Sequence, residues 1–226
     1  MSCPTMLNEP LFKSATPPRH IAIEGPIGVG KSTLMRKLSA SLGYATLEEK
    51  AEENPFLERF YNNRRHGALS AQLFFLFQRA QQLNDLQQSD LFERGYIADF
   101  LFQKDPLFAQ ITLDSNELEL YHKVYQQLSV DLPRADLVIY LQAPSKVLRE
   151  RIQQRGVRFE RNIDTAYLEQ VNEAYCEFFL DYSASPLLIV NAEEIDFAHS
   201  DSDYQQLLDY LLEIRSGRHY FNPSFF

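Results

Sequence analysis

Tryptophan is absent from this 226-residue chain, cysteine occurs twice and glycine only eight times. Cys3 and Cys176 lie far apart in sequence, which speaks against a disulfide framework or a cysteine-based metal site and for a reducing, intracellular setting. No apolar run approaches the roughly 18 residues that span a bilayer, so a soluble cytoplasmic protein is expected. Positive charge is also short, with 22 Lys and Arg against 31 Asp and Glu for a net charge of -9. That balance argues against broad attraction to nucleic-acid polymers. Any phosphate must be held in a locally basic pocket.

What the chain does have is apolar material, 45% of its residues, enough for one substantial core without covalent staples. The first residues carry an acid, scattered prolines and no apolar run, so residues 1–17 are read as a flexible leader and 18–226 as one domain. Short β-type runs fall at His20–Glu24, Ala45–Leu47, 90–92, 137–141 and 187–190, and longer segments with helical spacing fall between or after them, at 32–42, 70–86, 117–130, 145–154, 165–182 and 203–214. Strands alternating with helices predict an α/β fold, a parallel sheet covered by helices on both faces, with ligands at the carboxyl ends of the strands. The aromatic end HYFNPSFF fits no motif and is expected to pack against the domain.

One motif carries chemistry by itself. Gly25-Pro26-Ile27-Gly28-Val29-Gly30-Lys31-Ser32 satisfies G-x-x-x-x-G-K-[ST] between the strand IAIE and the amphipathic segment TLMRKLSASL, the context that this phosphate loop requires. Gly25, Gly28 and Gly30 let backbone N–H groups close around phosphate oxygens. Lys31 reaches the terminal phosphates, Ser32 holds Mg²⁺, and Thr33 is placed with them as a nucleotide contact. The motif alone says nucleotide hydrolase or kinase.

Four acids, Glu48, Glu49, Glu52 and Glu53, follow the second strand, and Phe92-Glu93-Arg94-Gly95 is read as ending the third. The first stretch resembles the E-P-V-E segment of the deoxynucleoside kinases, with Lys50 and Ala51 in place of Pro-Val, and the second resembles their E-R-S motif, with Gly95 in place of Ser. The dense basic run from Arg149 to Arg161 resembles the family's arginine-rich lid, although Val157 stands where many members have arginine. These motifs come in the family order over nearly the whole domain.

The resemblance implies a P-loop kinase fold with a five-stranded parallel sheet, ATP with Mg²⁺ as cofactors and a homodimer, with bacterial deoxyadenosine and deoxyguanosine kinases looking most similar. It implies Glu49 as the general base for a deoxynucleoside 5′-hydroxyl, and Arg94, Lys31, Arg151 and Arg155 as cations on the phosphoryl group. Glu93 would join Ser32 at the metal. Tyr61 and Glu160 would hold the sugar 3′-hydroxyl and Gln72 the base, with Arg79 and Asp99 paired beside it in favour of purines. Phe74, Phe75 and Phe77 are read as core. The rival readings are a thymidylate-kinase-like monophosphate kinase, against which the acid at Glu49 speaks, and a non-catalytic kinase-like binding subunit, against which the intact Lys31, Ser32, Glu49, Glu93 and lid arginines speak.

Overall fold

In the computed structural model the described residues are 17–89, 94–129, 132–157, 160 and 163–222. Strands β1 (His20–Glu24), β2 (Ala45–Leu47), β3 (Tyr96–Ala98), β4 (Leu137–Gln142), β5 (Leu187–Asn191) and β6 (Arg218–Phe221) form one sheet in the order β2-β3-β1-β4-β5-β6. Every neighbouring pair is parallel. Residues 20–24 and 137–141 are buried without alternation, as required of strands covered on both faces.

The helices are α1 (Lys31–Leu42), α2 (Leu57–Asn62), α3 (Arg64–Ser89), α4 (Asp105–Thr112), α5 (Ser115–Leu128), α6 (Ser145–Arg155), α7 (Thr165–Leu180) and α8 (Asp201–Glu213). Leu34, Met35 and Leu38 of α1 are fully buried, each contributing about 1.5–3 kcal/mol of apolar burial. Tyr175 and Phe179 of α7 stack on Tyr140 of β4, at 5.8 Å and 4.2 Å between ring centroids. Three helix starts are closed by side chains: Asp114 forms a capping box with Glu117, Asp164 accepts from the Tyr167 amide, and Ser200 accepts from the Asp203 amide. α1 begins instead at Gly30, with φ 108° and no side-chain cap, so its first N–H groups stay open to an anion.

Two sequence expectations change. The sheet has six strands rather than five, because part of the aromatic tail, Arg218–Phe221, extends it beside β5. The expected strand at 90–92 lies outside the described residues, and β3 begins only at Tyr96, paired with His20 at the start of β1. Because the strands are parallel, Arg94 and Gly95 stand at the amino end of the sheet, opposite the phosphate loop that follows β1. Gly95 is buried there, and a Cβ on it would lie 2.8 Å from the Arg19 carbonyl oxygen and 2.7 Å from the Tyr44 ring. Gly95→Ser should therefore cost stability, about 1–3 kcal/mol as overpacking, read as a lower midpoint in urea unfolding with an unchanged slope; an unchanged midpoint would show that the Arg19 strand entry yields freely.

Candidate active site

The chain leaves β1 through Gly25 and turns into α1, and Lys31 folds back over this loop, its ammonium donating to the carbonyl oxygens of Gly25 at 2.8 Å and Pro26 at 3.4 Å. Burial lowers the Lys31 pKa, the Lys104 charge adds to that, and Glu24, Glu49 and Asp99 oppose it. Gly28 admits α6 closely: a Cβ there would meet Ile152 at 2.8 Å and the Leu148 carbonyl oxygen at 2.9 Å.

Beside the loop, Ser32 donates to Asp99 Oδ2 at 2.6 Å, and the Glu49 amide donates to Asp99 Oδ1 at 2.7 Å. Asp99 follows β3 directly, so it, and not an acid before that strand, stands at the carboxyl end of the sheet. Burial raises the Asp99 carboxyl in spite of those two hydrogen bonds, a bias that a cation at its side would remove. Ser32 and Asp99 are hard oxygen donors, and among the described residues no group of three or more His, Cys, Asp or Glu could hold a metal by itself. They fit Mg²⁺ bound largely through phosphate oxygens and water.

Arg79 of α3 pairs with Glu49 on one side and with Asp105 at the start of α4 on the other. Tyr121 completes the set by donating to Asp105 at 2.6 Å. The sequence reading paired Arg79 with Asp99. The partner is instead Asp105, six residues on, because Asp99 turns to Ser32 at the end of β3. Burial would raise the Glu49 carboxyl, but Arg79, followed by Lys104 and Lys31, holds it below the usual carboxylate range. Glu49 is therefore ionised at neutral pH.

A cavity of about 1170 Å³ runs from the phosphate loop and α1 start to α3 and α7, and Gly28, Gly30, Lys31, Ser32, Thr33, Glu49, Tyr61, Gln72, Arg79, Asp99, Arg151, Arg155 and Glu160 all line it. Gln72, only 5% exposed, donates to Thr112 at 3.5 Å. Arg155 pairs with buried Glu160, and burial, with Tyr167, Glu160 and Glu49 nearby, pushes the Tyr61 hydroxyl well up. Arg151 donates to the carbonyls of Val29 at 3.3 Å and Ala192 at 2.8 Å, tying α6 to the phosphate loop and the end of β5. Phe75 packs against the core with the Arg79 guanidinium 5.2 Å from its ring centroid, whereas Phe77, also read as core, is 52% exposed.

Arg94 is not brought to this cavity: it is exposed on the far side of β3. Glu93, expected at the metal, and Arg158 of the lid lie outside the described residues. Reading residues alone left Lys104, Asp105, Tyr167 and Tyr175 unassigned. A signal for the first two existed in YIADFLFQKD, where a short apolar run ending in an acid marks a strand end and the Lys-Asp pair follows five and six residues later.

Residues 21–214 match the deoxynucleoside kinase family. This chain belongs to that family. A deoxyguanosine kinase of Bacillus subtilis is 38% identical over 200 residues, 86% of this chain and 96% of the relative. A deoxyadenosine kinase of Dictyostelium discoideum is 33% identical over 182 residues, 77% of this chain and 73% of the relative. Among solved structures, deoxyadenosine kinase from M. mycoides with bound dATP superposes with a TM-score of 0.74 at 30% identity, covering 85% of this chain and 98% of that one. In a family whose members handle nucleotides, the Ser32–Asp99 pair becomes the decisive test of where the cation sits. Asp99→Asn should raise the Mg²⁺ concentration needed for half-maximal turnover about tenfold or more and lower kcat, while Arg94→Ala leaves both unchanged. Equal effects from the two variants would return the site to the residues before β3.

Proposed function

We propose that this chain transfers the γ-phosphoryl group of ATP to the 5′-hydroxyl of a purine deoxynucleoside, in salvage of nucleosides. The observation that carries this reading is an ionised carboxylate, Glu49, fixed by Arg79 in the same cavity as the phosphate-loop Lys31. A hydroxyl acceptor has a proton to lose and a carboxylate to receive it; an acceptor already phosphorylated would meet repulsion from that carboxylate. The O5′–P bond forms as the bond from Pγ to the β,γ-bridging oxygen breaks. The 5′-proton passes to Glu49, and Lys31 stays protonated against the phosphate oxygens. Ser32 and Asp99 would hold Mg²⁺, which would supply positive charge to the polyphosphate.

The remaining residues orient the acceptor. Tyr61 and Glu160 meet the sugar 3′-hydroxyl, and Arg155, by pairing with Glu160, couples closure of the α6 end to the presence of that sugar. Arg151 faces ATP from the same helix. The Gln72 amide offers one donor and one acceptor to a base edge, and the Arg79–Asp105 couple occupies the space beside it. The 38% identity to a deoxyguanosine kinase supports deoxyguanosine first and deoxyadenosine second. The same reading takes the protein as cytoplasmic and homodimeric; Phe77 and Leu120, 52% and 49% exposed, offer apolar surface of the kind that a subunit contact buries.

Glu49→Gln should lower kcat by roughly 10² or more with the nucleoside KM little changed, as measured by coupled ADP release. If turnover survives, Glu49 is not the base. A screen of the four deoxynucleosides with ATP and Mg²⁺ should rank both purines above deoxycytidine and leave thymidine last. Arg79→Met with Asp105→Ala should narrow the gap between thymidine and the purines by about tenfold or more, the worth of one good polar contact, at a general cost in rate because Glu49 loses its partner. An unchanged ratio would remove this couple from base selection.

A further inference from the structure

We infer that Lys104 is a catalytic residue, the inner cation that contacts the 5′-oxygen and the phosphoryl group as it moves, in the role that the sequence had led us to expect of Arg94. This rests on the phosphoryl transfer proposed above. Phosphoryl transfer places charge on the oxygens of the moving group, and fixed cations in a dry site are what stabilise it. The cavity is short of free ones. Arg94 is outside it, and Val157 stands in the lid where an arginine was expected. Arg79 is held by Glu49 and Asp105, Arg155 by Glu160, and Arg36 by Glu48 at the exposed rim. Arg151 spends N–H groups on two backbone carbonyls.

Lys104 is different. It closes the 3-10 turn Phe102–Lys104 after β3 and leads into α4, and its side chain is 3% exposed while lining the cavity with Lys31 and Glu49. Its ammonium lies 3.2 Å from Glu24 Oε1 and 4.5 Å and 5.6 Å from the ring centroids of Phe108 and Tyr175. An ammonium has three N–H donors, and among the described residues Glu24 is its one ionic partner. Glu24, moreover, already accepts from the Gly25 and Leu101 amides and the Tyr175 hydroxyl, so its oxygens are hydrogen-bonded without a lysine. Lys104 shares this cavity with both the phosphate-loop lysine Lys31 and the Glu49 carboxylate. The 5′-proton goes to Glu49, so Lys104 contributes only its N–H donors and charge.

The competing explanation is that Lys104 only neutralises buried Glu24, and a double-mutant cycle separates the two. Single-turnover phosphorylation of deoxyguanosine, nucleoside Kd and melting temperature are measured for wild type, Lys104→Met, Lys104→Arg, Glu24→Gln and the Glu24→Gln/Lys104→Met pair. A cation on the moving phosphoryl group predicts a loss of about 10²-fold in the chemical rate of Lys104→Met, with Kd within about threefold, and recovery of most of it in Lys104→Arg. The same substitution on the Glu24→Gln background, where no carboxylate needs neutralising, should still cost about 10²-fold. If Lys104→Met costs less than about threefold on the Glu24→Gln background, Lys104 is a structural counter-ion and the inference falls while the kinase reading stands. Should wild type phosphorylate no deoxynucleoside, both fall together.

Discussion

Glu24 is the carboxylate on which the site hangs. It ends β1 with no exposed surface, and its oxygens accept from the Gly25 amide at 3.0 Å, the Leu101 amide at 2.7 Å and the Tyr175 hydroxyl at 2.8 Å. These three partners belong to the start of the phosphate loop, the chain leaving β3 and the middle of α7. A buried carboxylate left without partners costs several kcal/mol, so each of the three segments is held where it satisfies this one group. The geometry of the phosphate loop is thereby coupled to the turn that carries Lys104 and Asp105. The coupling is local, yet it fixes the distance between the ATP side of the cavity and the nucleoside side.

A second buried network, Glu49–Arg79–Asp105–Tyr121, does the same work for the acceptor half. Arg79 is 3% exposed and Asp105 fully buried, and a hydrophobic set of the same volume would often stabilise a fold as well or better. What the ionic set supplies is orientation. The guanidinium fork fixes Glu49 relative to α3 and α4, and Tyr121 and Asp105 fix the guanidinium in turn, so the Glu49 carboxylate has little freedom left. Its suppressed pKa has the same origin. In the proposed role of base, a carboxylate held ionised in this way would be a weak one, which suits a transfer in which little charge builds on the nucleophile before the bond to the leaving group is largely broken.

The parts of this architecture that were legible in the sequence are those whose signal is local. The phosphate loop needs a strand, glycines and a helix in direct succession, and β1, β4 and β5 are unbroken apolar runs; each was placed within a residue or two. β3 was misplaced because it has only three residues, Tyr96–Ala98, and takes its stability from β1 and β2 on either side rather than from its own pattern. That one shift placed Arg94 at the wrong end of the sheet, gave Asp99 to Arg79 instead of Ser32, and left Lys104 and Asp105 unread. α2 and α4, of six and eight residues, are similarly too short for a periodic signal. β6 escaped notice for another reason: Arg218–Phe221 is an edge strand with Tyr220 64% exposed, and such a strand exists only because Leu187–Val190 offers it a parallel partner.

The inner charges explain how an acidic protein can hold a polyphosphate. Lys31, Arg79 and Lys104 are surrounded by Glu24, Glu49, Asp99 and Asp105, three cations against four carboxylates, so the interior is near balance and slightly negative before any ligand arrives. Such a balance keeps the empty cavity from repelling itself apart. It also means that side-chain charge at the floor cannot by itself attract ATP. The attraction would come from the uncapped start of α1 and the amides of the phosphate loop, from a cation that Ser32 and Asp99 would hold, and from the arginines of α6. Of these, Arg155 at the end of α6 is tied to Glu160, the residue proposed above to meet the sugar. On that proposal, completion of the positive field would depend on the acceptor, which would favour transfer to a nucleoside over transfer to water.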